Sequence, residues 1–212
     1  MHGASYHITN RGNHQEKIFL QESDYCVYLS ILKDTLKFYE EFNYKLISYC
    51  LMTNHVHLLI KTDKRDPSNF MRRINSMYAK YFNKKYEVTG HLFQGRYYSN
   101  LITNISELLE VSRYIHLNPV RAQITKGPEE YKWSSYNKIV NNKVNDDIRT
   151  SILNEKNDFG IVGLSIAAEE ILDLLDIYSL VEDNSIKKIR ARVKNEMSLS
   201  KEKYKIYVEG AI

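Results

Sequence analysis

The chain has 212 residues, of which 43% are hydrophobic and 26% are charged. This length fits one domain, or one domain with an appendage. The hydrophobic share is enough for a core, and the charged share argues against a membrane protein. No apolar run approaches the ~20 residues that a membrane-spanning helix needs. The first residues also lack the basic and apolar stretches of a secretory signal, so we expect a cytoplasmic protein with no membrane partner.

Positive charge is concentrated in the first two thirds of the chain. Residues 1–140 contain 19 lysines and arginines against 13 acidic residues, whereas residues 141–212 contain 11 against 13. This excess is compatible with a nucleic-acid partner, although solvated lysines on helix faces would give the same balance. The 17 tyrosines offer rings for base stacking, but packing is the more common role of any one tyrosine.

In chain order, the first predicted elements are a strand, a helix and a hairpin. Turn residues 11–13 end the first strand, and the two residues between the hairpin strands form a tight turn. The predicted elements are a strand at residues 6–10, a helix that Ser23 or Asp24 caps, and strands at residues 44–52 and 55–61.

A second helix, a strand and a third helix follow. Pro67 suits the start of a helix, where its missing N–H costs nothing, and Pro119 is expected to end a helix because the residue before proline disfavours helical dihedrals. The predicted elements are a helix at residues 69–86, a strand at residues 97–103 and a helix at residues 106–118.

The order β-α-β-β-α-β-α predicts an α+β fold, a ferredoxin-like antiparallel sheet with an added helix. The hairpin and the first strand are expected at the centre of the sheet. Helices then cover one face and leave the other as a working surface. Residues 1–140 form this domain in our division of the chain, and residues 141–212 form a helical extension of unknown role.

The extension begins with a polar linker at residues 141–147. Two helices are predicted in it, at residues 165–176 and 185–197, and the second combines an apolar stripe with several basic residues. That pattern is compatible with a DNA-binding helix, but it is more typical of a surface helix whose long basic side chains cover apolar surface.

Two histidines in the third predicted strand are the most informative feature of the sequence. Alternate residues of a strand face the same side, so His55 and His57 point together. A bare His-x-His is more often a half-polar strand face than a metal site. A metal site becomes the better interpretation when the chain supplies a third ligand nearby.

The third predicted helix supplies that ligand and a nucleophile. Tyr114 and Asn118 are four residues apart and lie on one helix face. If that face packs beside the histidine strand, the Asn118 amide oxygen completes a site with His55 and His57. Two imidazoles with oxygen ligands and open positions suit Mg²⁺ or Mn²⁺. A cation beside a tyrosine favours attack on a phosphodiester, with Tyr114 as nucleophile.

Five sequence strings together resemble the REP-associated tyrosine transposases, single-tyrosine members of the HUH (His-hydrophobic-His) endonuclease superfamily. The resemblance covers about residues 5–140. It departs from the family at Thr53, where proline is usual, and in a shortened basic lead-in. The strings are Arg11-Gly-Asn13, Tyr49-Cys-Leu-Met-Thr-Asn-His-Val-His-Leu-Leu59, Gly90-His-Leu-Phe-Gln-Gly-Arg96, Arg113-Tyr-Ile-His-Leu-Asn-Pro-Val-Arg-Ala122 and Trp133-Ser-Ser-Tyr136.

The resemblance implies a nuclease that cuts single-stranded DNA beside a hairpin, through a 5′-phosphotyrosine and a free 3′-OH. It implies His55, His57 and Tyr114 as catalytic residues, with Asn118 as the third metal ligand. Arginines can bind phosphates and bases bidentately, and aromatic rings can stack on bases. The residues expected to contact DNA are Arg11, Asn13, Phe93, Arg96, Tyr97, Arg113 and Arg121. Neighbouring His116 lies off the Tyr114 face and is expected to be structural or to contact DNA.

Other functions compete with this one. A DNA-hairpin binder that does not cleave would retain the same strings. A histidine-triad hydrolase would need a third histidine at position 59, which is Leu59, so that function is excluded. The sequence is compatible with a monomer or a homodimer. A short connection from strand to helix favours a site made within one chain.

Overall fold

The computed structural model describes residues 4–63, 65–141 and 205–210. In chain order the elements are β1 (Ala4–Arg11), α1 (Glu22–Phe38), β2 (Lys45–Leu51), β3 (His55–Thr62), α2 (Ser68–Tyr86), β4 (Tyr98–Ile102), α3 (Ile105–Arg121) and α4 (Tyr136–Asn141). The two helices predicted at residues 165–176 and 185–197 lie outside the described residues. In the described part of the chain, no helix is both long and apolar enough to cross a membrane.

The four strands form one antiparallel sheet in the order β2-β3-β1-β4, which confirms the predicted ferredoxin-like architecture. Both strands of the hairpin were expected at the centre of the sheet, but only one of them lies there. β3 and β1 are central, and β2 is an edge strand. The reason is that β3 pairs with β1 along the whole length of both strands, so β2 is left on the other side of β3, at the edge.

Residues 131–136, an aromatic segment that follows α3, cover the sheet edge that β2 would otherwise expose. Leu51 donates its backbone N–H to the Trp133 carbonyl at 2.9 Å, and Ser135 donates its own to the Tyr49 carbonyl at 3.0 Å. The Trp133 ring stacks on Tyr25 of α1, with ring centroids 4.4 Å apart. Each aromatic contact of this kind adds roughly 0.5–1.5 kcal/mol beyond the burial of its area. The segment therefore links the sheet edge to α1 and removes a free strand edge.

Helices α1 and α2 pack on one face of the sheet. Ile8, Leu58 and Ile60 are fully buried beneath them. Tyr78 of α2 donates its hydroxyl to the Ile18 carbonyl at 2.6 Å, which connects α2 to the segment that leads into α1. Helix α3 packs against β2 and β3. On that same face of the sheet, no helix among the described residues packs closely on the part that β1 and β4 form, which we call the open half of the α3 side.

Two predicted helix ends differ from the structure. α1 begins at Glu22 with Gln21 as its N-cap, because the Asp24 carboxylate accepts the Gln21 backbone N–H and acts within the first turn. α3 continues to Arg121 and contains Pro119, which was expected to end it. A proline in the last turn removes one donor, and the Asn118 side-chain amide donates to the nearby Tyr114 carbonyl at 2.8 Å.

Candidate active site

His55 and His57 project from β3 toward the side of the sheet that α3 covers. Their rings meet edge to face with centroids 4.9 Å apart, as the alternation of the strand predicts. His57 is buried at 5% exposure, whereas His55 is half-buried. Both rings thus belong to the central strand, and His55 is the more accessible of the two.

Each ring has its Nδ1 atom engaged by the protein. His55 Nδ1 lies 2.6 Å from Asn54 Oδ1, and the Asn54 amide nitrogen donates to the Gln15 carbonyl. His57 Nδ1 lies 3.1 Å from His7 Nε2 and 3.2 Å from Thr9 Oγ1. None of the described residues hydrogen-bonds to either Nε2 atom. The nitrogens available to a ligand are therefore the two Nε2 atoms.

The three clustered imidazoles are neutral near pH 7. Burial lowers the pKa of His57 to about 3, with added repulsion from His55, His7 and Arg11. Burial is the larger cause and the positive charge of Arg11 the smaller one that together lower the pKa of His55 to about 4. Burial also lowers the pKa of His7. A neutral imidazole is the form that binds metal ions, so no proton has to be removed first.

Tyr114 lies over the histidine cluster within the same chain. Its ring meets His57 edge to face at a centroid distance of 5.6 Å and meets His7 at 5.9 Å. The side chain is 38% exposed. The Arg121 guanidinium lies 5.0 Å from the centre of the same ring. A phenol at this position combines access from solvent with a neighbouring cationic side chain.

Asn118 lies one helical turn after Tyr114. Its amide nitrogen donates to the Tyr114 carbonyl, and no described residue donates to its Oδ1 atom. In the described ranges, no three His, Cys, Asp or Glu side chains gather as a metal cluster. A cation bound by His55 and His57 would need a ligand of another type, and the Asn118 amide oxygen is the ligand that the sequence predicts.

The residues expected to contact DNA are distributed unevenly. Arg11, Arg96 and Arg121 are exposed. Arg11 is the strand partner of His55, and Arg121 lies against the Tyr114 ring. Asn13 is half-exposed in the short turn after β1. Arg113 is engaged elsewhere, because its guanidinium lies 4.2 Å from the Tyr207 ring centre.

The two aromatic candidates have different environments. Phe93 is 8% exposed and belongs to the core cluster beside Tyr78, so its ring offers no free face to a base. Its burial corrects the expectation of base stacking, since the turn that carries it pairs with Gly12 and faces inward. Tyr97 is half-buried, and its hydroxyl lies 3.2 Å from Ser68 Oγ.

His116 is a structural residue. It is fully buried, and its Nε2 lies 2.8 Å from Ser135 Oγ. Burial lowers the pKa of His116 to about 3, so the ring remains neutral. Ser135 also accepts the Tyr49 backbone N–H, which places His116 within the contact between α3 and β2.

Three side chains on this surface, those of His7, Thr9 and Tyr98, were not among the residues predicted from the sequence. His7 and Thr9 of β1 lie on the same face of the sheet as His57 of β3, since Thr9 pairs directly with His57. Tyr98 pairs with Thr9 from the other side and is 68% exposed. The alternation of β1 carried this signal, but its use requires the strand register, which only the folded sheet supplies.

The turn after β1 also contributes to the site. Gly12 donates its N–H to the Asn54 carbonyl at 2.8 Å. A Cβ atom at position 12 would lie 2.2 Å from the Glu16 carbonyl oxygen, so only glycine fits. This close approach brings Gln15 within reach of Asn54, which in turn holds His55.

Comparison with one solved structure supports the fold. A structure described as a REP-associated tyrosine transposase bound to a REP hairpin superimposes with a TM-score of 0.55 at 17% identity, over 66% of this chain and 81% of that one. A transposase structure from Deinococcus radiodurans aligns with a TM-score of 0.40 at 17% identity, over 62% and 92% of the two chains.

Comparison of sequences identifies the family. A curated Haemophilus influenzae protein named "Putative REP-associated tyrosine transposase" is 25% identical over an alignment of 114 residues. The match covers 48% of this chain and 64% of that protein, slightly less than two thirds of its length. Residues 1–118 match the family described as "Transposase IS200 like". This match spans more than half of the chain and agrees with the resemblance read from the sequence strings. The chain therefore belongs to the IS200-like transposase family.

Proposed function

We propose that this protein is a metal-dependent single-stranded DNA endonuclease and strand transferase that cuts near DNA hairpins through a covalent 5′-phosphotyrosine on Tyr114. The observation that carries the proposal is the position of the Tyr114 ring, 5.6 Å from the ring of His57 and partly open to solvent. Membership of a transposase family sets the class of reaction.

The covalent step exchanges one phosphodiester for another. The Tyr114 oxygen bonds to the scissile phosphorus, and the bond from phosphorus to the 3′ oxygen breaks. The phenolic proton passes to water, and the departing 3′ oxygen takes up a proton from water and leaves as a hydroxyl group. Because the new bond is also a phosphodiester, attack by a 3′-OH on another strand reverses the step and needs no ATP.

His55, His57 and Asn118 are the proposed ligands of Mg²⁺ or Mn²⁺. When bound, such an ion neutralises and orients the scissile phosphate. The protein supplies two neutral imidazoles with free Nε2 atoms and one amide oxygen without an internal donor. This set leaves open positions for water and phosphate, which suits a hard divalent cation.

The open half of the α3 side is the proposed DNA surface. Arg11 is exposed there beside its strand partner His55, and Tyr98 presents a ring in line with Thr9 and His57. Arg96 is also exposed and follows Gln94, whose backbone N–H donates to the Arg11 carbonyl. Guanidinium groups neutralise phosphates, and an exposed ring can stack on an unpaired base. The structural neighbour described above is a complex with a hairpin, which supports the same class of partner for this chain.

The test is a pool of labelled hairpin-tailed single strands incubated with Mg²⁺ or Mn²⁺. The wild-type chain should form a covalent protein–DNA band, and Tyr114→Phe should form none while it still binds DNA. Tyr39→Phe is the matched control, since that ring packs against Phe42 near the end of α1 and should keep the adduct. His57→Ala should also lose cleavage, with partial recovery in excess Mn²⁺.

Two outcomes would contradict the proposal. An adduct on Tyr114→Phe would assign the nucleophile to another tyrosine. Specific hairpin binding by the wild-type chain without any adduct would instead indicate a DNA-hairpin binder that does not cleave.

A further inference from the structure

The Nδ1 side of His57 is packed against two polar side chains of β1. His7 Nε2 lies 3.1 Å away and Thr9 Oγ1 lies 3.2 Å away. The His7 ring also stacks on His57, with centroids 5.3 Å apart and planes inclined by 26°. Both residues come from the strand that pairs directly with β3, so the contact is part of the sheet itself.

We propose that His7, assisted by Thr9, is a positioning residue that holds His57 as its Nδ1–H tautomer and aims its Nε2 lone pair at the cation. This inference rests on the metal site of the proposed function. A neutral imidazole carries one proton, so a ring that gives its Nε2 lone pair to a cation must carry that proton on Nδ1. His7 Nε2 and Thr9 Oγ1 are the acceptors within reach of it.

His55 shows the same arrangement with an unambiguous partner. The Asn54 amide nitrogen donates to the Gln15 carbonyl at 3.1 Å, which leaves Asn54 Oδ1 to accept. His55 Nδ1, at 2.6 Å from that oxygen, must therefore carry the proton. Metal-binding histidines commonly donate their other N–H to such a partner, which fixes the tautomer and the ring direction.

A direct role of His7 as a metal ligand fits the structure less well. Its Nε2 atom is directed at His57 Nδ1 and is occupied there. Within residues 4–63, 65–141 and 205–210, the three histidines do not form a metal cluster. His7 also meets the edge of the Tyr114 ring, so one side chain supports both the proposed ligand and the proposed nucleophile.

The tautomer is tested without metal or DNA, by ¹⁵N NMR of the histidine-labelled full-length protein. His57 should appear as the Nδ1–H form in the wild type. His7→Phe keeps a ring against His57 but removes the acceptor, and Thr9→Val removes the second acceptor. In the protein with both substitutions, His57 should shift toward the Nε2–H form that prevails in free histidine. His7→Gln places an amide oxygen near the original Nε2 position and should restore the Nδ1–H form.

Mn²⁺ titration by calorimetry provides the second readout. We expect affinity to fall roughly 10- to 100-fold in the doubly substituted protein, the usual effect of losing an outer partner, and to recover within a few-fold in His7→Gln. Urea unfolding shows whether each variant is folded. If His7→Phe does not fold, His7→Asn replaces it, since that side chain is too short to reach His57 Nδ1.

An Nε2–H His57 in the wild-type protein would overturn the proposal, as would unchanged Mn²⁺ affinity in the doubly substituted chain. Failure of the proposed function looks different. If the wild type and all variants fail alike to bind Mn²⁺, the metal site itself is wrong, whatever the tautomer.

Discussion

Asn118 donates its side-chain amide to the backbone carbonyl of Tyr114 at 2.8 Å, one helical turn earlier. The bond lies where Pro119 deprives α3 of a backbone donor. It therefore steadies the last turn of the helix and leaves the amide oxygen unused. One hydrogen bond therefore joins the proposed third ligand to the backbone of the proposed nucleophile.

Asn118→Ala should weaken Mn²⁺ binding by about tenfold or more, because the site loses an oxygen ligand. It should also cost about 1 kcal/mol of stability through the lost hydrogen bond. Asn118→Asp is the matched control. It keeps an oxygen but cannot donate to the Tyr114 carbonyl, so it should retain Mn²⁺ binding and show only the loss of stability. Calorimetry and urea unfolding measure the two effects; wild-type affinity in Asn118→Ala would remove this residue from the metal site.

Tyr98 is expected to stack on a DNA base. Tyr98→Ala should weaken single-strand binding by about 1–3 kcal/mol, whereas Tyr98→Phe should bind normally because the ring face remains. Phe38→Ala is a control, since that ring is also exposed but belongs to α1. Fluorescence polarisation at one fixed salt concentration measures the affinities, and rising salt should weaken all variants that bind. Equal affinity of Tyr98→Ala and the wild type would contradict this role.

Asp24 should dominate the acid stability of the fold. Its carboxylate is buried and accepts hydrogen bonds from Tyr86 at 2.7 Å and from the backbone of Leu20 at 2.8 Å. It also pairs with Lys85 at 2.6 Å. Burial alone would raise the pKa of Asp24, but the bonds from Lys85, Tyr86 and the backbone prevail and lower it to about 2.

Because this pKa lies below the ordinary value of 3.8, the stabilisation of about 2 kcal/mol is complete above pH 3.8 and is lost as pH falls through about 2. Asp24→Asn should therefore lower the free energy of unfolding by about 2–3 kcal/mol at pH 7. In urea unfolding, the free energy of unfolding of this variant should fall less steeply as the pH is lowered toward about 2. Glu22→Gln is the control, because Glu22 is an exposed partner of Lys132 and should change stability by less than about 1 kcal/mol. Similar effects of both changes would contradict the assignment.

Residues 205–210 pack on the outer side of α3. Val208 is fully buried with Leu117 and Tyr136, and the Tyr136 hydroxyl donates to Glu209 at 2.9 Å. Deletion of residues 141–212 should leave hairpin cleavage intact but lower stability, since Leu117 and Tyr136 become exposed. Val208→Ala in the full chain should cost about 1–2 kcal/mol with normal cleavage. Loss of cleavage on truncation would show that the extension belongs to the catalytic unit.

Local sequence rules predicted the elements and the pairing of His55 with His57 on one face. A strand projects alternate residues to one side, and a helix brings residues four apart together, so these relations hold wherever the elements pack. The same rules failed for the end of α3. Proline removes one backbone donor, but a side chain of the preceding residue donates to the carbonyls in that turn, a contact that chain spacing does not reveal.

The sequence by itself determined the family, the order of the strands and helices, and the candidate residues His55, His57, Tyr114 and Asn118, because each depends on residue identity and short spacing. Only the tertiary structure decided that His7 and Thr9 stand behind His57, that Phe93 lies in the core, and that Arg113 faces Tyr207. These contacts join residues far apart in the chain. They depend on strand register and helix packing, which the whole fold sets through the burial of its core.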